Sequence, residues 1–268
     1  MATISVPTGR TTGVWTSTKV VAGRAIARYL RTPQLLVLGT LQGAMFLLIF
    51  RYVFGGAIGV PGIDYVDFLV PGFITTGVLF TGMGAATAVA EDLEQGFVDR
   101  VRSLPIPRSA FLTGRALGDT AMHTWSLAIT AAIGFAVGFR IHGSMEDALA
   151  AFALLVAFGF AFEWLFILLG LLAGNAQAAQ GMALLVFPLT FVSSAYVPVE
   201  TMPGWLQVFA THQPITYMVD AVRALTQGAS AEAFLGRDAT YFVARALAWA
   251  VGIVVVFAPL AVARYRRG

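Results

Sequence analysis

The stretch EDLEQGFVDRVRSLPIPRSAFLTGR, residues 91–115, packs eight charged side chains into twenty-five positions. The chain as a whole is only 12% charged and 58% hydrophobic over 268 residues. Soluble domains carry about 25% charged residues, so most side chains of this sequence do not face water. Long apolar runs flank the stretch on both sides, and their length decides the fold. A helix needs about 20 mostly apolar residues to cross a bilayer. Six such runs stand at 34–54, 66–90, 115–139, 148–173, 178–197 and 240–263. Backbone polar groups in lipid must pair within one helix or around a closed barrel. These runs are too long and too uniformly apolar for barrel strands. The fold class is all-α, a polytopic membrane protein with six transmembrane helices.

Arginine sets the orientation. With both termini cytoplasmic, that side receives twelve basic residues, from Arg10 and Lys19 through Arg100, Arg102, Arg108 and Arg115 to Arg267. The opposite side receives five, Arg51, Arg140, Arg223, Arg237 and Arg245. That asymmetry obeys the positive-inside rule and places residues 91–115 in the cytoplasm. The net charge of +3 is spread between apolar runs, whereas a nucleic-acid partner needs it gathered on one wet face. No cysteine is present, which excludes disulfides and thiolate metal sites. The first thirty-two residues lack the apolar core of a secretory leader, so no cleaved leader is expected.

The chain divides into a cytoplasmic segment, 1–32, and a six-helix membrane domain, 33–268. Within the first, Arg24, Arg28 and Arg31 fall on one helical face, with Trp15, Ala22, Ile26, Tyr29 and Leu30 opposite. This predicts an amphipathic helix lying along the cytoplasmic leaflet, in contact with membrane lipids; a solvated basic tail is the alternative. The longest gap between spans, 198–239, mixes Pro198, Pro203 and Pro214 with Trp205, Leu206, Phe209 and Tyr217. Short helices half-sunk in the outer interface are expected there.

Within the charged stretch, Leu93, Phe97, Val101 and Leu104 recur at helical spacing, with charge on the remaining faces. Pro105 and Pro107 stop that helix, and Ser109 is placed to cap the next. Topology alone requires only Arg or Lys. The four acids Glu91, Asp92, Glu94 and Asp99 therefore favour a docking surface over a plain solvated connector.

The segment AEDLEQGFVDRVRSLPIPRSAFLTGRALGD resembles the signature of ABC-2 type exporter permeases, in their daunorubicin-resistance-like branch. A second block, residues 187–225, resembles the fifth span and outer loop of the same branch. One departure is Gln213 before Pro214, where relatives often carry Asn. The resemblance implies that Glu91, Asp92, Glu94, Gly96, Arg100 and Pro105 contact an ATP-binding subunit. It implies two copies of that subunit, and a second permease copy or a close relative, in the cell membrane. The cargo implied is an amphipathic drug or lipid moved outward, with ATP and Mg²⁺ bound by the partner. No cofactor is expected in this chain.

Consistent with that division of labour, the phosphate-cradling pattern G-x-x-x-x-G-K-[ST] is missing. The only lysine, Lys19, sits in VWTSTKVV. A membrane enzyme would need convergent catalytic groups. His123, His142 and His212 are far apart, and the single Asp-x-x-Asp, Asp64 and Asp67, has no second motif to hold a diphosphate. The glycines of TGMGAAT at 81–87 lie inside an apolar span. An ion-driven carrier usually shows several intramembrane ionisable groups, and Glu163 alone qualifies. It belongs either to the substrate path or a gate, or to an interhelical structural contact. Gly39/Gly43, Gly134/Gly138 and Gly170/Gly174 permit close helix approach. Asp220 and Arg223 can pair across one turn, as a structural tie. The alternative within transport is the permease of a lipid-linked glycan exporter, which calls for a more polar or aromatic-lined passage.

Overall fold

A computed structural model describes residues 13–31, 43–102 and 108–267. All regular structure among them is helical. The order is α1 (Val14–Arg31), α2 (Gly43–Phe54, closing in the π-turn Phe50–Phe54), α3 (Tyr65–Glu94), α4 (Phe97–Arg102) and α5 (Arg108–Ala136). There follow α6 (Met145–Leu172), α7 (Ala176–Leu184), α8 (Phe187–Phe191), a 3-10 turn at Val199–Thr201, α9 (Gly204–His212), α10 (Pro214–Gln227), α11 (Ala229–Leu235) and α12 (Ala239–Arg267).

Among the described residues three helices, α3, α6 and α12, are long and apolar enough to cross a membrane, against six runs expected in the whole chain. Of the other three expected spans, the first begins outside the described residues and is followed only from Gly43. The third, α5, is 29 residues long, but Arg115, Asp119 and His123 make its first half polar. The fifth is broken into α7 and α8 just before Pro188, because proline gives no amide hydrogen and crowds the preceding turn.

α6 is the centre of the bundle, packed against α3, α5, α10 and α12. Its start is fixed by a capping box, in which Ser144 accepts from the Asp147 amide and the Asp147 side chain reaches back. Two apolar cores result. The larger runs through α3, α6 and α10; the smaller joins Val98 and Val101 of α4 to Phe111, Leu112, Trp164, Ile167 and Tyr265.

α1 packs against α5. A Cβ at Gly114 would meet the Thr18 carbonyl oxygen at 2.7 Å, and one at Gly118 would meet Ala25 at 2.6 Å. These glycines form a GxxxG pair that lets the two backbones touch. Thr18 Oγ1 donates to the Ala110 carbonyl at 3.5 Å, while Trp15 stays 64% exposed. The side chains of Arg28, Tyr29 and Leu30 lie outside the described ones. Of the glycine pairs expected to mediate packing, only Gly134 and Gly170 approach a neighbouring helix, at Val70 and Ala86; Gly39 lies outside the described residues.

The segment 198–239, where short half-sunk helices are expected, departs from that reading in part. α9 does present Trp205, Val208 and Phe209 outward. α10, however, is buried along residues 215–227 and sits inside the bundle. Its polar residues are accommodated by specific partners, described below.

Candidate functional site: a charged turn, an ionic ladder and an aromatic chamber

The charged stretch is not one helix. α3 runs through Glu91, Asp92 and Glu94 and stops at Gln95. Gly96 then takes φ +64, the left-handed conformation that glycine adopts without strain, and α4 starts again at Phe97. The Gln95 and Gly96 amides donate to the carbonyls of Glu91 and Leu93 at 3.0 Å each, closing the helix end. The turn exposes Glu94, Gln95 and Arg100 and buries Asp92, Val98 and Val101. Glu94 Oε2 accepts from the Ala176 amide at 3.4 Å, a favourable place for an anion at the start of α7. From α1, the Arg24 guanidinium lies over the Phe97 ring at 3.5 Å, a cation–π contact. Leu104, Pro105 and Pro107 lie outside the described residues. Ser109 falls inside α5 rather than ahead of it.

Asp92 turns inward and is buried. Arg115 Nη1 donates to its Oδ2 at 2.7 Å, and Arg115 Nε donates to Asp119 Oδ2 at 2.7 Å. One turn further along α5, His123 Nε2 stands 2.8 Å from Glu163 Oε1 of α6. Arg115, Asp119 and His123 sit at i, i+4 and i+8, so one face of α5 carries a continuous ladder of ionisable groups. All five members are buried. Satisfaction is incomplete. Asp119 Oδ1, His123 Nδ1 and Glu163 Oε2 have no hydrogen-bond partner. Buried polar atoms left unpaired cost about 1–3 kcal/mol each.

The ladder borders a cavity of about 690 Å³, within the range of roughly 300–1,000 Å³ typical of drug-sized sites. Its charged end is formed by Arg24, Glu91, Asp92, Arg115, Asp119 and His123. Its other walls are aromatic, with Phe50, Phe73, Phe80, Phe187 and Tyr196 among them. Phe50 stacks on Tyr196 with ring centroids 5.1 Å apart, and Phe73 meets Tyr196 edge-on at 5.6 Å. Tyr196 Oη donates to Thr76 Oγ1 at 2.9 Å, which ties the aromatic wall to α3.

At the opposite end, α10 supplies a second ionic site with different character. Arg223 has 0% exposure. Nη1 donates to Asp220 at 2.7 Å, and Nη2 donates to the carbonyls of Ser194 and Phe68 at 2.8 and 3.0 Å. Its guanidinium lies 3.8 Å from the Phe68 ring centroid. Ser194 Oγ completes the group by donating to Asp220 Oδ1 at 2.7 Å. Gln213 Nε2 donates to the carbonyls of Leu189 and Val192, so the departure at this position fastens α8. The expected Asp220/Arg223 pair thus forms, as part of a clamp joining α3, the loop after α8, and α10.

Of the residues expected at the contact, Glu94 is exposed on the turn and Asp92 is turned inward, while Glu163 is buried against His123. The sequence pattern alone did not point to Arg115, Asp119 and His123 as members of a site. Their four-residue spacing inside an otherwise apolar helix was the available signal.

Apolar helices of this length, joined by a short charged turn, are those of a multi-pass membrane protein. Comparison with known proteins gives the family: residues 16–226 match the ABC-2 type transporter model. The chain belongs to that family. Among relatives, the daunorubicin resistance ABC transporter permease protein DrrB1 of Streptomyces coeruleorubidus is 33% identical, over 91% of this chain and 83% of that protein. The probable doxorubicin resistance ABC transporter permease protein DrrC of Mycobacterium tuberculosis is 26% identical, over 93% and 88%. The inner membrane transport permease YadH of Escherichia coli is 26% identical, over 78% and 82%.

Proposed function

We propose that this chain is the permease subunit of an ATP-driven exporter that moves an amphipathic drug out of the cell. ATP and Mg²⁺ are bound by a separate subunit. Two permease chains and two such subunits form the working assembly, with six spans per permease, both permease termini cytoplasmic and α1 at the inner leaflet. Glu91, Glu94, Gly96 and Arg100 form the contact with the ATP-binding subunit, together with Pro105 beyond the described turn. Asp92 serves the same element from inside. Glu163 lies in the gate of the substrate path. The observation that carries this reading is the cavity itself, which begins at the charged turn and continues into a chamber walled by phenylalanine.

The relatives' names supply the cargo class, and daunorubicin is the natural probe. The test is co-purification of the permease with its ATP-binding subunit, followed by ATP-dependent daunorubicin uptake into inside-out vesicles. Replacing Glu91, Glu94 and Arg100 together by Ala is expected to abolish both. Undiminished assembly by that variant contradicts the docking role. A second reading, export of a lipid-linked glycan, draws support from the aromatic lining alone. Uptake of a polyprenyl-linked sugar in preference to daunorubicin selects it.

A further inference from the structure

We infer that Arg115 is the positioning residue that carries movement of the charged turn into the bundle, by exchanging its bridge to Asp92 for a closed pair with both oxygens of Asp119. This rests on the turn being the contact with the ATP-binding subunit, as proposed above. Asp92 lies on the last turns of α3, within the stretch that such a subunit would move. Its carboxylate is held at 2.7 Å by Arg115, which at the same time holds only one oxygen of Asp119. The second oxygen, Asp119 Oδ1, is buried and has no partner. Arg115 and Asp119 share one helix at i and i+4, so the guanidinium can close on both oxygens without any sliding of α5. A guanidinium matches a carboxylate with two parallel hydrogen bonds. At Arg115 the exchange replaces one charge-assisted bond with another and satisfies an orphaned atom, and the charge of Asp92 leaves with the turn that carries it.

Withdrawal of Asp92 is the trigger and closure on Asp119 is the response. One turn deeper, His123 and Glu163 face this ladder and line or border the chamber. Their own unpartnered atoms, His123 Nδ1 and Glu163 Oε2, leave that contact free to follow. Packed interfaces of this kind switch between discrete arrangements and do not deform continuously.

The experiment uses the permease reconstituted with its ATP-binding subunit, as wild type and as Asp92→Asn, Asp119→Asn and Arg115→Lys. Two quantities are read, the ATP hydrolysis rate without drug and the daunorubicin moved per ATP. Both asparagine variants are expected to lower daunorubicin per ATP about fivefold or more, the lower end of ordinary site-to-site coupling. Arg115→Lys, which keeps the charge but lacks the fork, is expected to fall between them and wild type. Drug-free hydrolysis is expected to rise in Asp92→Asn, which loosens the bridge, and to fall in Asp119→Asn, which removes the alternative. A merely structural tie lowers the yield of folded complex and leaves both ratios alone, and that result overturns the inference. Should the asparagine variants not fold, Asp92→Glu and Arg115→Lys are read in the same way, and wild-type values in both overturn it. A wild-type complex that hydrolyses ATP without moving daunorubicin strikes the proposed cargo instead. The opposed shifts in hydrolysis then still decide the role of Arg115.

Discussion

Two buried ionic groups among the described residues are built to opposite standards. In the clamp, Arg223 is surrounded by Asp220, two backbone carbonyls and an aromatic face. In the ladder, charge is equally buried, yet Asp119, His123 and Glu163 each keep an atom without a partner. Buried charge is tolerable when its hydrogen bonds are complete, and it is poised to rearrange when they are not. The clamp fixes α10 inside the bundle. The ladder joins the charged turn to the chamber. Filled hydrogen bonds thus distinguish the clamp from the ladder.

Breaking the clamp is the most damaging change this comparison predicts. Arg223→Met leaves Asp220 buried without its countercharge and is expected to cost about 3–5 kcal/mol. Heat-induced loss of monodisperse protein in detergent measures it. Replacing both members by apolar residues is expected to recover much of that loss, since the cost comes mainly from the stranded charge.

The next largest effect concerns the seat of α1. Gly118→Leu drives a side chain into Ala25, already 2.6 Å from where a Cβ would stand, and overpacking of this kind costs about 1–3 kcal/mol. Trypsin cleavage at the α1 arginines should accelerate while the rest of the bundle stays resistant. Unchanged cleavage speaks against α1 being held by α5.

In the ladder, function and stability should come apart. Glu163→Gln keeps the shape and removes a carboxylate with an unpartnered oxygen. Its effect on thermal stability is expected to stay within about 1 kcal/mol, the scale of interhelical polar contacts in membranes. Drug export is expected to fall. Normal ATPase stimulation together with normal export removes Glu163 from the mechanism. Smallest of all is Glu94→Ala on the exposed turn, within about 0.5 kcal/mol of wild type. Its measurable consequence is weaker capture of the ATP-binding subunit.

Much of this plan is legible in the residues. Uniform apolar runs announce α3, α6 and α12, because nothing else explains such length without charge. The Asp220/Arg223 tie follows from spacing within one helix. What escapes a linear reading depends on partners far away in the chain. Asp92 looks like a surface acid until Arg115, 23 residues on, turns it inward. α10 reads as a short helix half-sunk in the interface, because Pro198, Pro203 and Pro214 stand among Trp205, Leu206, Phe209 and Tyr217. It is buried because carbonyls of Phe68 and Ser194 take the guanidinium. The break in the fifth span follows from Pro188, a signal present in the sequence and outweighed by the hydropathy around it. The Gly114/Gly118 pair was equally visible, and only the position of α1 reveals what it admits.

The most direct test of the account is ATP-dependent accumulation of daunorubicin in sealed vesicles, made with this polypeptide alone and with its ATP-binding subunit added. The account predicts accumulation against the gradient only when both proteins are present, and its loss when Glu91, Glu94 and Arg100 are all Ala. Uphill accumulation by this chain without the second subunit contradicts it.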